Sequence, residues 1–333
     1  MKISVCIPTY NQDNYIELAI KSVLNQTIKI DEIIISNDCS TDNTKNVLDQ
    51  LASIHPQLIV FHQPVNLGIK SNINFSLKKC TGDFIIRLDS DDLLKSTYAE
   101  RLSKELVKFP NAGYAHASVQ EIDENNKKTK LRILSRNSSF VDGEKAFKNA
   151  IHGYQVAANI IMFRKSALEA VGYVNATKNF AEDFYLSASL SSAGFGNVYL
   201  NEVLSCYRVW NDEGKVRQKR KLDEIIGLID VYEKVIEPGF KIRNWSLNKI
   251  NKARTSKACK QSDCLSWDVF SNTQKDELKE ALFQLSSNFK VKICVFLYGH
   301  NLNFIIDSKN KILYFIKYNT KLLIFNINKK QVF

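Results

Sequence analysis

Phe84-Ile85-Ile86-Arg87-Leu88-Asp89-Ser90-Asp91-Asp92 is the stretch whose reading decides the fold of this chain. Its first five residues have the composition of a buried strand, and three carboxylates follow within four positions. Carboxylates so close repel one another unless a cation lies between them, and a divalent metal is the obvious candidate. Side chains two apart point to the same face of an extended chain, so Asp89 and Asp91 are expected to converge on one ion and its waters while Asp92 faces away. Hard oxygen ligands in such small number suit Mg²⁺ or Mn²⁺, which complete their shells with water and substrate phosphates. The competing reading is a solvated acidic turn that caps the helix after it.

Working outward, Ile3 to Ile7 make a short apolar strand closed by Pro8. Asn14 with Glu17 forms a capping-box pattern for a helix through Leu24, with Ile16, Ala19, Ile20, Val23 and Leu24 on one face. Ile33 to Ile35 and Leu58 to Phe61 are the next strands, each followed by a polar loop or turn and a helix, the last near Asn72 to Lys79. Strands and helices alternating at this spacing predict a mostly parallel α/β sheet flanked by helices. Ligands gather beyond the carboxyl ends of such strands. Three polar segments fall there: Pro8-Thr9-Tyr10-Asn11, Asn37-Asp38-Cys39-Ser40-Thr41-Asp42 and Asp89-Ser90-Asp91-Asp92. Together they describe a pocket with backbone donors, an acid for a base or sugar hydroxyl, and an acidic tip. There is no Gly-x-Gly-x-x-Gly and no Gly-Lys-Ser/Thr, so a diphosphate here needs its charge met by a metal, the role expected of Asp91.

At this point the residues resemble a known family. Ser4-Val5-Cys6-Ile7-Pro8-Thr9-Tyr10-Asn11, the loop from Asn37 to Asp42, the turn Asn66-Leu67-Gly68 and the acidic tip are similar to the nucleotide-sugar half of family 2 glycosyltransferases, which have the GT-A fold. The likeness continues through Asn159 to Arg164, Gly172-Tyr173, Ala181-Glu182-Asp183-Phe184 and Ala193-Gly194-Phe195, and ends at Leu204-Ser205-Cys206-Tyr207-Arg208. The resemblance implies that Asp38 contacts the nucleobase, Asp89 the ribose or a metal-bound water, and Asp91 the metal that bridges the diphosphate. It implies that the segment Pro8 to Asn11 lines the donor pocket, with Thr9 and Tyr10 against the nucleotide. Asp183 would be the base that takes the acceptor's proton, with Glu182 beside it. An inverting displacement does need one carboxylate on the acceptor side and electrostatic relief for the leaving diphosphate. An acidic pair opening an amphipathic helix also complements the helix dipole, the alternative for Glu182 and Asp183.

Two positions depart from the family pattern. Cys39 stands where glycine usually follows the loop aspartate, so the turn is expected to need another backbone conformation. The family often reads Tyr-Arg-x-His after its last strand, whereas here Arg208 is followed two residues later by Trp210. Either the metal has one protein ligand fewer, or an aromatic stacks over the sugar or diphosphate, or binding is weakened.

Length and composition bound the rest. A chain of 333 residues with 44% hydrophobic and 24% charged residues is an ordinary globular protein, with room for one large domain and an appendage or for two domains. The start, Met1 to Pro8, enters a strand at once and lacks the pattern of a signal peptide, so a cytoplasmic protein is expected. No window reaches the ~18 uninterrupted apolar residues of a membrane span. Seven cysteines without a Cys-x-x-Cys pair support neither a disulfide framework nor a zinc site, and reduced, mostly buried thiols are expected. None of the five histidines has ligand spacing to another.

The +11 net charge is uneven: residues 1–207 carry 22 basic and 22 acidic side chains, residues 208–333 carry 24 and 13. Two modules are expected, a GT-A catalytic domain over about residues 1–210 and a basic, mainly helical region over 211–333. Val216 to Val235 has helical spacing, and Trp245 to Cys264 reads as an exposed helix or a mobile linker. Ile293 to Phe325 reads as a packed subdomain, a surface for a second copy, or an interfacial membrane helix. The expected function is inverting transfer from a nucleotide-diphosphate donor, a UDP-sugar, to a glycan or lipid-linked glycan, with Mn²⁺ or Mg²⁺, peripheral at the inner face of the cell membrane. Abundant asparagine, lysine and isoleucine point to a bacterial genome and surface polysaccharide. The competitors are a non-catalytic nucleotide-sugar-binding subunit and a nucleic-acid-binding protein, the latter lacking any reader motif.

Overall fold

The computed structural model describes residues 1–136, 139–176, 180–211, 215–302 and 304–305. The chain forms two compact units, residues 1–213 with 227–250, and residues 214–226 with those from 251 on.

In the first unit β1 (Ile3–Thr9), α1 (Ile16–Leu24), β2 (Glu32–Asn37), α2 (Thr44–Ile54), β3 (Leu58–His62), α3 (Ile69–Lys79) and β4 (Phe84–Arg87) alternate as the spacing predicts. They are followed by β5 (Leu93–Leu94), α4 (Tyr98–Lys108), β6 (Ala112–Ile122), β7 (Lys128–Arg132), β8 (Phe140–Val141), α5 (Gly143–Ala150), β9 (Ile161–Arg164), α6 (Lys165–Ala170), α7 (Glu182–Ser192) and β10 (Gly196–Arg208). The strand order is β3-β2-β1-β4-β9-β6-β10-β5, with β7 on β6 and β8 on β10. β1, β2, β3 and β4 run parallel, β9 is inserted antiparallel between β4 and β6, and β10 is parallel to β6. Alternate side chains feed two cores. Val5, Ile7, Ile33 and Ile35 pack with Ile16 and Ile20 of α1, while Cys6, Ile34 and Ile85 pack with Ile73 of α3 and Leu186 of α7. Burial on both faces explains why these strands read as continuous apolar runs. The pairing of Thr9 with Asn37, and of Cys6 with Arg87, brings the carboxyl ends of β1, β2 and β4 to one edge.

Two local expectations are corrected. The capping box at Asn14 and Glu17 does not form: Tyr15 is the N-cap, without a side-chain cap bond. The Asn14 amide donates to Asp13, Glu17 pairs with Lys21 at 2.6 Å, and the Gln12 carbonyl accepts from the N–H groups of Tyr15 and Ile16. The acidic tip is a turn rather than an extended strand end, because β4 stops at Arg87 and the Asp92 N–H closes on the Asp89 carbonyl at 3.1 Å.

After β10 come α8 (Val216–Lys219), α9 (Lys221–Val231), a π-helical turn (Tyr232–Ile236) and α10 (Glu237–Ile242). Within the first unit, the Tyr232 hydroxyl donates to the Ile151 carbonyl at 2.8 Å, and Phe240 and Trp245 pack on Phe147 of α5. In the second unit α11 (Asn248–Gln261) runs through most of the stretch from Trp245 to Cys264, so that stretch is helix. α12 (Asn272–Leu285) opens with a capping box of Ser271 and Gln274, and α13 (Phe289–Gly299) buries Val291 and Val295. All seven cysteines are free, but only three are buried and four half-buried, fewer inside than expected. Among the described residues no helix is long and apolar enough to cross a membrane, and of the stretch Ile293 to Phe325 residues 303 and 306–325 lie outside them.

Candidate active site

The first wall is built where β1 and β2 end. The Thr9 carbonyl accepts from the Asp38 N–H at 2.9 Å, and Asn11, at φ 52°, donates its N–H to Ser40 Oγ and accepts the Thr41 N–H at 2.8 Å. The two predicted loops are therefore one knitted surface. Asn37 is held from below by His62, which also bonds Asp49, giving one of the histidines a supporting place. Asp38 is buried, with one oxygen accepting from the Leu67 N–H at 2.7 Å and the other from the Gly68 N–H at 3.0 Å. Gly68 sits at φ 80°, which is why the turn Asn66-Leu67-Gly68 ends in glycine. Each Asp38 oxygen keeps a second lone pair for a ligand. Cys39 lies at φ 60°, so the left-handed turn that glycine would favour is kept with a side chain present, contrary to the expected change of conformation. Thr9 Oγ1 is buried with no hydrogen-bond partner among the described residues, and Pro8 lies beside it on β1. The Tyr10 ring is 46% exposed at the rim.

The centre is Arg87, the last residue of β4 and 4% exposed. Its guanidinium donates to Asp89 Oδ1 at 3.1 Å and, through the other terminal nitrogen, to Asp183 Oδ1. Sequence reasoning quoted Arg87 without assigning it a role. The signal was there: a guanidinium closing a buried apolar strand must find carboxylates, because a buried unpaired charge is not tolerated. Asp183 enters from α7, whose first turn also carries Glu182 and whose N-cap Ala181 adopts φ 60°. Burial pushes the Asp183 carboxyl up, to about 7, against the opposing pull of Arg87, with Glu182 and Asp89 adding to the rise. Arg87 itself is held charged by the same neighbours. The upward direction for Asp183 follows from its partial burial and from one guanidinium being shared among several carboxylates.

The acidic tip is the third wall. Asp91 Oδ2 accepts the Trp210 indole N–H at 2.7 Å, and the Trp210 ring stands edge-on to Tyr15 at 5.1 Å. An indole N–H can only donate, so Trp210 orients the carboxylate and cannot ligate an ion. Asp92 faces away as expected: it is buried and accepts the Arg208 N–H at 2.7 Å. The Arg208 guanidinium donates to the carbonyls of Asp91 and Asp123 and to the Asn126 side chain, clamping the turn to β10 and to the hairpin after β6. Among the described residues no group of three or more His, Cys, Asp or Glu gathers as a metal site. The Asp91 carboxyl is raised by burial and by the charge of Asp89. Two hard oxygen donors fit a divalent ion that takes the rest of its shell from water and phosphate.

An α/β sheet with nucleotide-type loops, a buried arginine bridging two half-buried acids and an acidic tip at one edge is the frame of a GT-A glycosyltransferase. The glycosyl transferase family 2 model matches residues 4–172, and the chain belongs to that family. It is 29% identical over 216 residues to the GalNAc(5)-diNAcBac-PP-undecaprenol beta-1,3-glucosyltransferase of Campylobacter jejuni, a match covering 64% of this chain and 66% of that one. It is 25% identical over 214 residues to glycosyltransferase GlyA of Streptococcus pneumoniae, covering 62% of this chain and 30% of the relative. The chain thus spans less than two thirds of the length of either relative. In three dimensions it is similar to residues 1–349 of S. aureus TarS in complex with UDP-GlcNAc, with a TM-score of 0.61 at 17% identity over 89% of this chain and 84% of that one. The latter likeness concerns the fold.

Proposed function

We propose that this protein transfers a sugar from a nucleotide diphosphate, a UDP-sugar, to a hydroxyl of a glycan or lipid-linked glycan with inversion at the anomeric carbon, in bacterial surface polysaccharide synthesis. The observation that carries the reading is the buried Arg87 guanidinium between Asp89 and Asp183. It joins an acid on the donor side to an acid that titrates near neutrality, the two groups an inverting displacement needs close together. Asp38 and Thr9 receive the nucleobase, Pro8, Tyr10 and Asn11 line the donor pocket, and Asp89 meets the ribose or a metal-bound water. Asp183 takes the proton of the acceptor hydroxyl as its oxygen bonds the anomeric carbon and the bond to the diphosphate breaks. Glu182 adds negative charge beside the base, and Arg208 and Trp210 hold the acidic tip in shape. A divalent ion, Mn²⁺ or Mg²⁺, held by Asp91 would neutralise the leaving diphosphate. The undecaprenol-linked acceptor named for the Campylobacter relative and the UDP-GlcNAc in the TarS complex support this choice of substrates.

Thermal shift with a series of nucleotide sugars tests the donor, since a bound ligand stabilises by RT ln(1 + [L]/Kd). Stabilisation is expected with UDP-sugars plus Mn²⁺ or Mg²⁺ and is expected to vanish in EDTA. Asp91→Ala should abolish the metal requirement together with most of the affinity. Full donor affinity in chelator would instead make Asp89 to Asp92 an acidic turn only. The second reading, a binding subunit without turnover, is favoured by Trp210 standing on Asp91; donor bound but never cleaved in the presence of acceptor glycans would select it.

We place the catalytic domain at about residues 1–210 and assign residues 211–333 to acceptor, membrane or second-copy contact. The carrying observation is that the whole excess positive charge lies after residue 207. Basic residues near an anionic bilayer contribute ~1 kcal/mol each. The full chain is expected to float with anionic but not neutral vesicles and to detach as salt rises. Truncation should follow residue 305 rather than residue 285, because the latter removes α13 with its buried Val291 and Val295. An intact chain that ignores anionic vesicles at low salt would leave the region to packing or self-association.

A further inference from the structure

The transfer reaction leaves unused a cavity of about 330 Å³ in the first unit, walled by α5, α7 and the start of β10. Its size is at the lower end for a small-molecule site. Arg136 and Lys145 line it together with Asn149, Gln155, Ser187 and Asn197, and among the described residues no carboxylate does so. The Arg136 guanidinium donates to Asn197 Oδ1 at 2.9 Å and to the Ser139 carbonyl at 3.3 Å, and lies over the Tyr199 ring at 5.5 Å. Among the described residues neither Arg136 nor Lys145 has an ion-pair partner, although most bases nearby do: Lys148 meets Glu144 and Arg132 meets Glu121. Of the acids near in sequence, Asp142 is engaged in capping α5 through the Lys145 N–H, and Glu144 in the pair with Lys148. Burial without a facing anion pushes the Arg136 guanidinium down from its ordinary value. Phe184 and Tyr114 give the cavity an aromatic side. Phe184 directly follows Asp183 in α7, and Gln155 follows Tyr154, whose buried hydroxyl feels the charges of Asp183 and Arg87.

We propose that this cavity binds an oxyanion-bearing saccharide, with Arg136 and Lys145 on its carboxylate or phosphate, the amides on its hydroxyls and the aromatic side against its ring. Because α7 carries the base Asp183 in its first turn and Phe184, Ser187 and Ser191 on the cavity wall, the occupant is assigned to a sugar of the acceptor chain. The assignment rests on the glycosyl-transfer reading. Two cations with no anion explain the charge, and the amide and aromatic lining explains why a lone inorganic ion would leave most of the space unmatched.

Calorimetric titration of the full chain tests this with three probes, glucuronate, neutral glucose and inorganic phosphate, and with UDP as a separate titrant. Glucuronate is expected to bind saturably, at least about tenfold tighter than glucose, and to displace phosphate, the difference being the worth of charge-assisted bonds. Arg136→Gln should weaken glucuronate about tenfold or more without changing UDP affinity. Lys145→Gln, at an exposed position that the fold tolerates, should weaken it several-fold. Equal binding of glucuronate and glucose, or glucuronate binding untouched in both variants, overturns the proposal. Phosphate that binds but is not displaced by glucuronate overturns the saccharide assignment. Glucuronate binding with no UDP binding would sink the transferase reading while leaving the cavity's anion preference standing, so the two failures are distinguishable.

Discussion

Asp183→Asn is expected to lower kcat by roughly 10²- to 10⁴-fold, the usual worth of a positioned base, while donor affinity stays within a few-fold. The amide keeps the volume and one hydrogen-bond acceptor for Arg87 but has no basicity. The wild type should show the same dependence through pH. Burial pushes the Asp183 carboxyl up to about 7, and the base works only when deprotonated. Below that value kcat/KM should fall about tenfold per pH unit, and above it level off. With an ordinary carboxyl the acid limb would lie near pH 4 and be invisible in a neutral assay. The same displacement bears on stability. A carboxyl raised on folding contributes stability that is fully present below its unfolded value and is lost as pH rises through about 7. A pH profile of kcat/KM on the wild type and on Asp183→Asn decides the matter: activity within a few-fold of wild type, or an unchanged acid limb in the variant, would return Asp183 to the role of a helix-start residue.

The largest effect on stability is expected at Arg87. Arg87→Met keeps an unbranched chain inside the sheet but leaves Asp89 and Asp183 facing each other with no cation, and breaking a buried pair this way costs roughly 3–5 kcal/mol. The cost should be greatest at pH 8, where Asp183 is deprotonated, and smaller at pH 5, where it can hold a proton. Arg87→Lys retains the charge and loses the two-pronged contact, so it should fall between. Denaturant unfolding at the two pH values reads this directly. A methionine variant as stable as wild type at pH 8 would mean that the bridge contributes nothing and that the two acids are positioned by their own loops.

Much of this was legible in the residues. The apolar runs of β1, β2 and β4 and the polar segments at their ends are local patterns, and period and turn chemistry suffice to read them. The turn ending in Gly68 was also legible, although not its purpose, which is to aim two N–H groups at Asp38. The capping box at Asn14 failed because Gln12, further back, already closes that turn through its carbonyl. Trp210 was visible as a departure, but its partner lies 119 residues away and only the closing of β10 against the acidic turn brings the indole to Asp91.

The sequence by itself determined the family, the alternation of strands and helices and the edge where chemistry gathers, because these follow from periodicities and side-chain types along a few residues. Only the tertiary structure decided that Asp89 and Asp183, 94 positions apart, share one guanidinium, and that Arg136 and Lys145, without an ion-pair partner among the described residues, line one cavity. The physical reason is that pairing and burial of charge depend on which strands become neighbours. The insertion of β9 between β4 and β6, and the packing of α7 on that sheet, are long-range events that no local pattern encodes.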